Sequence, residues 1–247
     1  MMVTMIELSW RDRVAVLTLD RPEKHNALTI ELCHGIRGAL DEAAEARVVV
    51  ITGRGRSFCS GADLDEVYTA DFRDALYAML HAVTDLPKPV VAAVNGAAIG
   101  AGTQLAIAAD FRVVAPAARF AVPTAKIGLA VDPWTIRRLA LIAGNATARR
   151  LLLACDQVDA DAAVAYGLAD RAGDTDEALE WAQGMTSLAP LTQAYSKRVL
   201  NAVFEPEFDG PLSAELDAAF EGCWSSEDFA EGRRSRAEKR PPIFRGR

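Results

Sequence analysis

Apolar positions in the first half of the chain recur with two periods. Met5 to Ser9 and Val14 to Leu19 alternate or run apolar and predict paired strands; Val48 to Thr52 is a β-branched strand, and Val90 to Val94 is the next. Between them Leu32, Ile36, Ala39, Leu40 and Ala43 fall at helical spacing, which predicts an amphipathic helix from a Thr29 N-cap to about Ala46. Gly53 to Gly61 reads as a glycine- and serine-rich loop. A short helix follows from Asp63, then a longer one near Phe72 to Val83, a helix over Ala101 to Ala109 and a strand over Phe111 to Ala115. Strand–strand–helix units that recur in this way predict stacked turns of a spiral rather than a simple alternating sheet.

After Pro133 the periodicity becomes almost wholly helical. Trp134 to Ala143, Ala146 to Leu153, Ala160 to Tyr166, Thr175 to Leu188 and Pro190 to Val203 are the candidate helices. A break over residues 205–211 precedes two more, Ser213 to Cys223 and Ser226 to Glu238. No linker is long enough to separate domains. The expected organisation is an α/β core over residues 1–188 with a C-terminal helical region over residues 189–247.

Composition narrows the function. With 247 residues, 51% hydrophobic and 25% charged, the chain is that of an ordinary globular protein with ample length for a core. The net charge of −7 argues against a general nucleic-acid binder, which needs basic surface. That charge is unevenly spread: residues 233–247 carry seven basic side chains against one acid, leaving the rest at −13. The uncharged stretch 89–109 contains Asn95, Gln104 and three glycines that would face lipid unpaired, so it reads as a buried strand entering a buried helix, with no membrane span. Four scattered cysteines suggest neither a disulfide framework nor a zinc site, and point to a reducing cytoplasm. His25, His34 and His81 do not cluster, and no metal-ligand spacing appears.

Two glycine-rich segments carry the candidate chemistry. Phe58-Cys-Ser-Gly-Ala-Asp-Leu64 and Asn95-Gly-Ala-Ala-Ile-Gly-Ala-Gly-Thr-Gln-Leu105 each place backbone N–H groups at an expected helix start, with Asp63 capping the first. Two such donors converging on one carbonyl oxygen form an oxyanion hole. The second segment is spaced G-x-x-x-G-x-G, which is not the dinucleotide-binding fingerprint.

These segments, with Arg21-Pro-Glu-Lys-His-Asn-Ala-Leu28, Ala118-Arg-Phe-Ala-Val-Pro123 and Glu238-Lys-Arg240, resemble the crotonase, or enoyl-CoA hydratase/isomerase, superfamily over essentially the whole chain. The resemblance implies an α/β spiral of ββα units with a C-terminal helical trimerisation region, assembled as a homotrimer or a hexamer. It implies an acyl-CoA thioester as ligand, with no separate cofactor, in fatty-acid or other lipid metabolism. The oxyanion donors would be the N–H groups of Ala62 and Ala101. The CoA moiety would lie along Lys24, Ala27, Ser60 and Ala62, and Phe220 and Lys239 would reach it from a neighbouring subunit.

The departures from the family pattern matter as much. Hydratases of this family hold a water between two glutamates; at the matching positions this sequence has Gln104 and Thr124, neither of which is an acid or base near neutral pH. Asp132, eight residues beyond Thr124, matches the offset of a catalytic aspartate in some isomerases and hydrolases of the family, but Asp before Pro is also an ordinary helix start. Two functional readings therefore stand: an acyl-CoA-binding protein with little hydratase activity, or an active family enzyme, the latter a hydratase or one using Asp132 as base. Trp134 either narrows the acyl pocket or belongs to the core. Cys59, Tyr195 and Lys197 are read as packing and ordinary helix residues.

Overall fold

The computed structural model describes residues 5–204 and 211–247. Its first sheet has the order β1 (Ile6–Arg11), β2 (Val14–Leu19), β3 (Val48–Gly53), β5 (Val90–Val94), β7 (Phe111–Val114) and β10 (Arg171–Ala172). β1 runs antiparallel to β2, and every later pair is parallel. A second sheet has the order β4 (Ser57–Cys59), β6 (Ala97–Ile99), β8 (Arg119–Ala121) and β9 (Gln157–Asp159). Successive turns of the chain thus place one strand in each sheet, β3 then β4, β5 then β6, β7 then β8. This is the expected α/β spiral of ββα turns.

Every residue of β3 and β5 is buried because both sheet faces are covered. Val49, Ile51 and Ala92 point into the main core with α1 (Ile30–Glu42) and α2 (Ala70–Asp85). Val48, Val50 and Val91 point the other way, against Ala178, Ala182 and Met185 of α6 (Thr175–Met185). The apolar faces of α1 and α2 begin where hydroxyl caps stop the chain from fraying: Thr29 accepts from the Leu32 N–H and Thr69 from the Phe72 N–H, each at 3.1 Å.

The helical half follows the predicted breaks. α4 (Pro133–Leu153) is interrupted at Gly144, whose φ of 77° and ψ of 151° separate the two helices expected on either side. After α5 (Ala160–Ala165), α7 (Pro190–Phe204) is anchored by Lys197. This side chain is buried and donates to the Asp110 carboxylate at 2.8 Å and the Lys88 carbonyl at 3.1 Å, so it is a core anchor rather than an ordinary helix residue. The break at 205–211 lies, except for Pro211, outside the described residues.

α8 (Pro211–Trp224) and α9 (Glu227–Ala237) fold back over the chain's own core. α9 lies on the 3-10 helix Pro123–Ile127 so closely that a Cβ at Gly232 would stand 2.1 Å from the Ile127 carbonyl oxygen. Glu231, buried on α9, draws the tail back by accepting from Arg240 at 2.5 Å and from the Ile243 N–H at 3.0 Å. Arg240 above all, with Ile243 and Arg234, holds the Glu231 carboxyl well below the usual carboxylate range. Among the described residues no helix is long and apolar enough to cross a membrane.

Candidate functional site

The two glycine segments meet at the junction of the second sheet with α3 (Ala101–Ala108), a helix whose eight residues are all buried. Leu28 donates to the Gly61 carbonyl at 2.8 Å and accepts from the Asp63 N–H at 2.6 Å, forming a parallel bridge with Ala62 between them. In that register the N–H of Ala62 itself points away from Leu28. Ala101 is the first residue of α3, where an N–H has no partner within the helix and sits at the positive end of its dipole.

The start of α3 is pinned on two sides. The Gly100 N–H donates to the Ala121 carbonyl at 2.8 Å, and the Thr103 hydroxyl contacts the Ala98 and Ala121 carbonyls at 2.7 and 3.0 Å. Gly100, with φ of 54° and ψ of −115°, takes the backbone conformation that only glycine adopts readily. Ala101 has no positive φ, so alanine there keeps the N–H without strain.

Ala62 and Ala101 both line a cavity of 390 Å³ whose wall includes Gln104, Thr124, Phe72, Leu76 and Ile127. Through Ser60, Ala62, Leu64 and Arg236 it joins a larger cavity of 1010 Å³ lined by Lys24, Ala27, Arg233 and Lys239. The structure therefore brings together Lys24, Ala27, Ser60, Ala62, Ala101, Gln104, Thr124 and Lys239. Lys239 reaches this place from the turn just beyond the chain's own α9, whereas the family resemblance implies that it comes from a neighbouring subunit. Phe220 lines neither cavity; it meets Trp224 edge to face at 6.1 Å and lies beneath the Arg73 guanidinium at 5.6 Å.

One detail differs from expectation, and Asp132 and Trp134 each take one of the two places the sequence leaves open. Residues 63–69 form turns rather than a helix, and Asp63 is not a cap: its carboxylate meets the Arg21 guanidinium at 3.3 Å and accepts from the Asp65 N–H at 3.2 Å. The pull of Arg21 ties the 21–28 loop to the oxyanion segment and leaves no cap for a helix to start from. Asp132 caps α4, accepting the Thr135 N–H at 3.4 Å and the Thr135 hydroxyl, and does not line the cavity. Burial pushes its carboxyl up, against the pull of the Thr135 hydrogen bonds. Trp134 is buried beside His81, at 5.7 Å, and Arg138, at 5.5 Å, and belongs to the core rather than the cavity wall.

Sequence reasoning missed Tyr77, Arg73, Trp224 and Arg236, all of which line the smaller cavity. Arg73 and Tyr77 are four residues apart on α2 and so share a face, a signal that the apolar stripe of that helix obscured. Tyr77 stands against the Asp132 backbone and the Gln104 amide, and burial, then the Asp132 charge, raises its phenol above the ordinary tyrosine value. Cys59 is fully buried and its thiol is pushed up to about 12 by that burial, so it is no nucleophile.

A family model described as enoyl-CoA hydratase/isomerase matches residues 10–247. A probable enoyl-CoA hydratase of Mycobacterium leprae is 43% identical over 98% of this chain and all of its own length. A carnitinyl-CoA dehydratase of Citrobacter koseri is 38% identical over 94% of each chain. In fold, a methylmalonyl-CoA decarboxylase in complex with 2-nitronate-propionyl-CoA superposes with a TM-score of 0.91 over 98% of this chain and 99% of its own, at 22% identity.

Proposed function

The chain belongs to the enoyl-CoA hydratase/isomerase family, and from that premise we propose that it binds acyl-CoA thioesters with weak or no enoyl-CoA hydratase activity. The observation that carries this reading is the cavity wall. It is lined by Ala62 and Ala101, whose backbone N–H groups would be the two donors, and among the described residues no aspartate, glutamate or histidine lines it. The thioester carbonyl oxygen would lie between the two N–H groups, where a low-dielectric site strengthens both hydrogen bonds. The acyl chain would run into the 390 Å³ cavity, and the CoA phosphates would lie in the larger one among Lys24, Arg233, Arg236 and Lys239. The engagement of Asp132 by Thr135 favours this reading over one in which Asp132 serves as a base.

The reading extends to the setting and the assembly. Binding of acyl-CoA fits fatty-acid or other lipid metabolism in the cytoplasm. The stripe Leu191, Tyr195 and Val203 on α7 is 85%, 70% and 66% exposed, which supports burial of that face in a homotrimer or hexamer.

Lys239 offers a clean test because its backbone is in the left-handed region, with φ of 51°. Replacement by glycine relieves that conformation while loosening the unfolded chain, so stability is expected to stay within about 0.5 kcal/mol. Affinity for a saturated acyl-CoA, followed by isothermal titration, is expected to fall. Lys239→Glu is expected to weaken it further, by about tenfold or about 1.4 kcal/mol at low ionic strength and less at high salt. Unchanged affinity in both variants would remove Lys239 from the CoA site.

A further inference from the structure

The helix that walls the larger cavity ends on a strained residue that the rest of the chain holds in place. α9 closes with the two bonds of a Schellman turn, the Lys239 N–H donating to the Arg236 carbonyl at 3.1 Å and the Arg240 N–H to the Ser235 carbonyl at 3.0 Å. Lys239 takes the left-handed position of that turn, with φ of 51°, where glycine is usual. A left-handed lysine persists only where the surrounding contacts over-determine it. Its side chain lines the larger cavity, and among the described residues its ammonium has no ion-pair partner.

The contacts that fix it come from the next residue. Arg240 does not line that cavity; its guanidinium meets the buried Glu231 as a fork, Nη1 to Oε1 at 2.5 Å and Nη2 to Oε2 at 3.0 Å. Its Nε donates to Glu238 at 2.6 Å. Asp228, three residues before Glu231 on α9, accepts from the N–H groups of Arg245 and Gly246 at 2.6 and 2.8 Å. Residues 240–247 are thus clasped against α9 by two carboxylates on one face of the helix. Two adjacent cations therefore have different tasks: Arg240 is bound to the protein, and Lys239 is left to a ligand. We propose that Arg240 and Glu231 form a clasp that orients Lys239 over the larger cavity, toward the phosphates of a CoA thioester. Both are positioning residues that touch no ligand themselves. This inference rests on the acyl-CoA reading above and names the residues that aim one of its cations.

The test is a double-mutant cycle followed by isothermal titration on the full chain with two ligands, hexanoyl-CoA and S-hexanoyl-pantetheine, which lacks the nucleotide and its phosphates. Arg240→Lys keeps the charge but cannot make the fork. It is expected to weaken hexanoyl-CoA about threefold to fivefold and to leave S-hexanoyl-pantetheine within about twofold. In the Lys239→Gly background, Arg240→Lys is expected to have no further effect on hexanoyl-CoA, because the residue it orients is gone. Glu231→Gln is expected to repeat both results from the other side of the clasp, and serves in place of Arg240→Lys if that variant does not fold. Loss of affinity for both ligands together, or a loss that adds in full to that of Lys239→Gly, would show a merely structural role and overturn the proposal. Unchanged affinity for hexanoyl-CoA in Arg240→Lys and Glu231→Gln would overturn it as well. In each of these cases the wild-type protein still binds hexanoyl-CoA; if it binds neither thioester, the acyl-CoA reading beneath fails too.

Discussion

A short trans-2-enoyl-CoA added to the purified protein is expected to bind and to be hydrated at least about 10⁴-fold more slowly than by an enzyme with a positioned acid and base. Hydration requires removal of a proton from water and delivery of one to C2. Each positioned acid or base contributes about 10²–10⁴ in rate, and the losses need not add in full. Gln104 and Thr124 line the cavity and have no group that titrates near neutral pH. Tyr77 is held above its ordinary value by burial and cannot serve as a base there. Asp132 is the one carboxylate the sequence offered, and Thr135 takes up both of its oxygens. Loss of the enoyl absorbance over time measures the rate directly, and turnover at rates usual for an acid–base hydratase would contradict the reading.

Gly102→Ala is expected to destabilise the protein by about 3 kcal/mol or more and to abolish acyl-CoA binding. A Cβ at this position would stand 2.0 Å from the Cys59 carbonyl oxygen, a backbone atom of β4 that cannot rotate away. Gly102 is the second residue of α3, and Cys59 ends the strand that leads into Gly61 and Ala62. Relief of the clash must separate those two segments, and with them the N–H groups of Ala101 and Ala62. Overpacking of this kind costs about 1–3 kcal/mol even where side chains can give, and here the neighbour is backbone. For a domain of this size about 3 kcal/mol corresponds to a fall of about 6–12 °C in Tm. Gly38→Ala is the control. It is a helical glycine with nothing within 4 Å of the added Cβ, and it is expected to stabilise by up to about 1 kcal/mol. A neutral Gly102→Ala in differential scanning calorimetry would show that α3 and β4 are not in the close contact described.

The fold was legible where a single element carries its own periodicity. The α1 and α2 stripes, the all-apolar β3 and β5, and the break at Gly144 all follow from local pattern. The second strand of each spiral turn does not. Ser57–Cys59, Ala97–Ile99 and Arg119–Ala121 are three residues each, too short for alternation to show. Each is defined by a partner tens of residues away, so local pattern alone makes β4 part of a loop.

The candidate site was legible for backbone groups and less so for side chains. Glycine spacing and family resemblance marked Ala62 and Ala101, since the residues around a backbone donor are constrained by close approach. Asp63 and Asp132 carry similar turn-forming sequence context. Only a tertiary contact shows that Arg21 claims the first, whereas the second caps its own helix through Thr135, three residues on, as the helix-start context allows. Tyr77 and Arg236 come to the cavity from elements distant in sequence, and no local motif announces them.

On the proposed function the chain holds an acyl-CoA thioester by two backbone N–H groups and leaves its enoyl group unhydrated. Infrared difference spectroscopy of an enoyl-CoA carrying ¹³C at the thioester carbonyl tests both halves in one sample. The labelled carbonyl band is expected to move to lower frequency on binding, as two N–H donors polarise the C=O bond, while the enoyl signal persists. A band unmoved in the presence of saturating protein, or rapid replacement of the enoyl signal by that of the hydrated product, would contradict it.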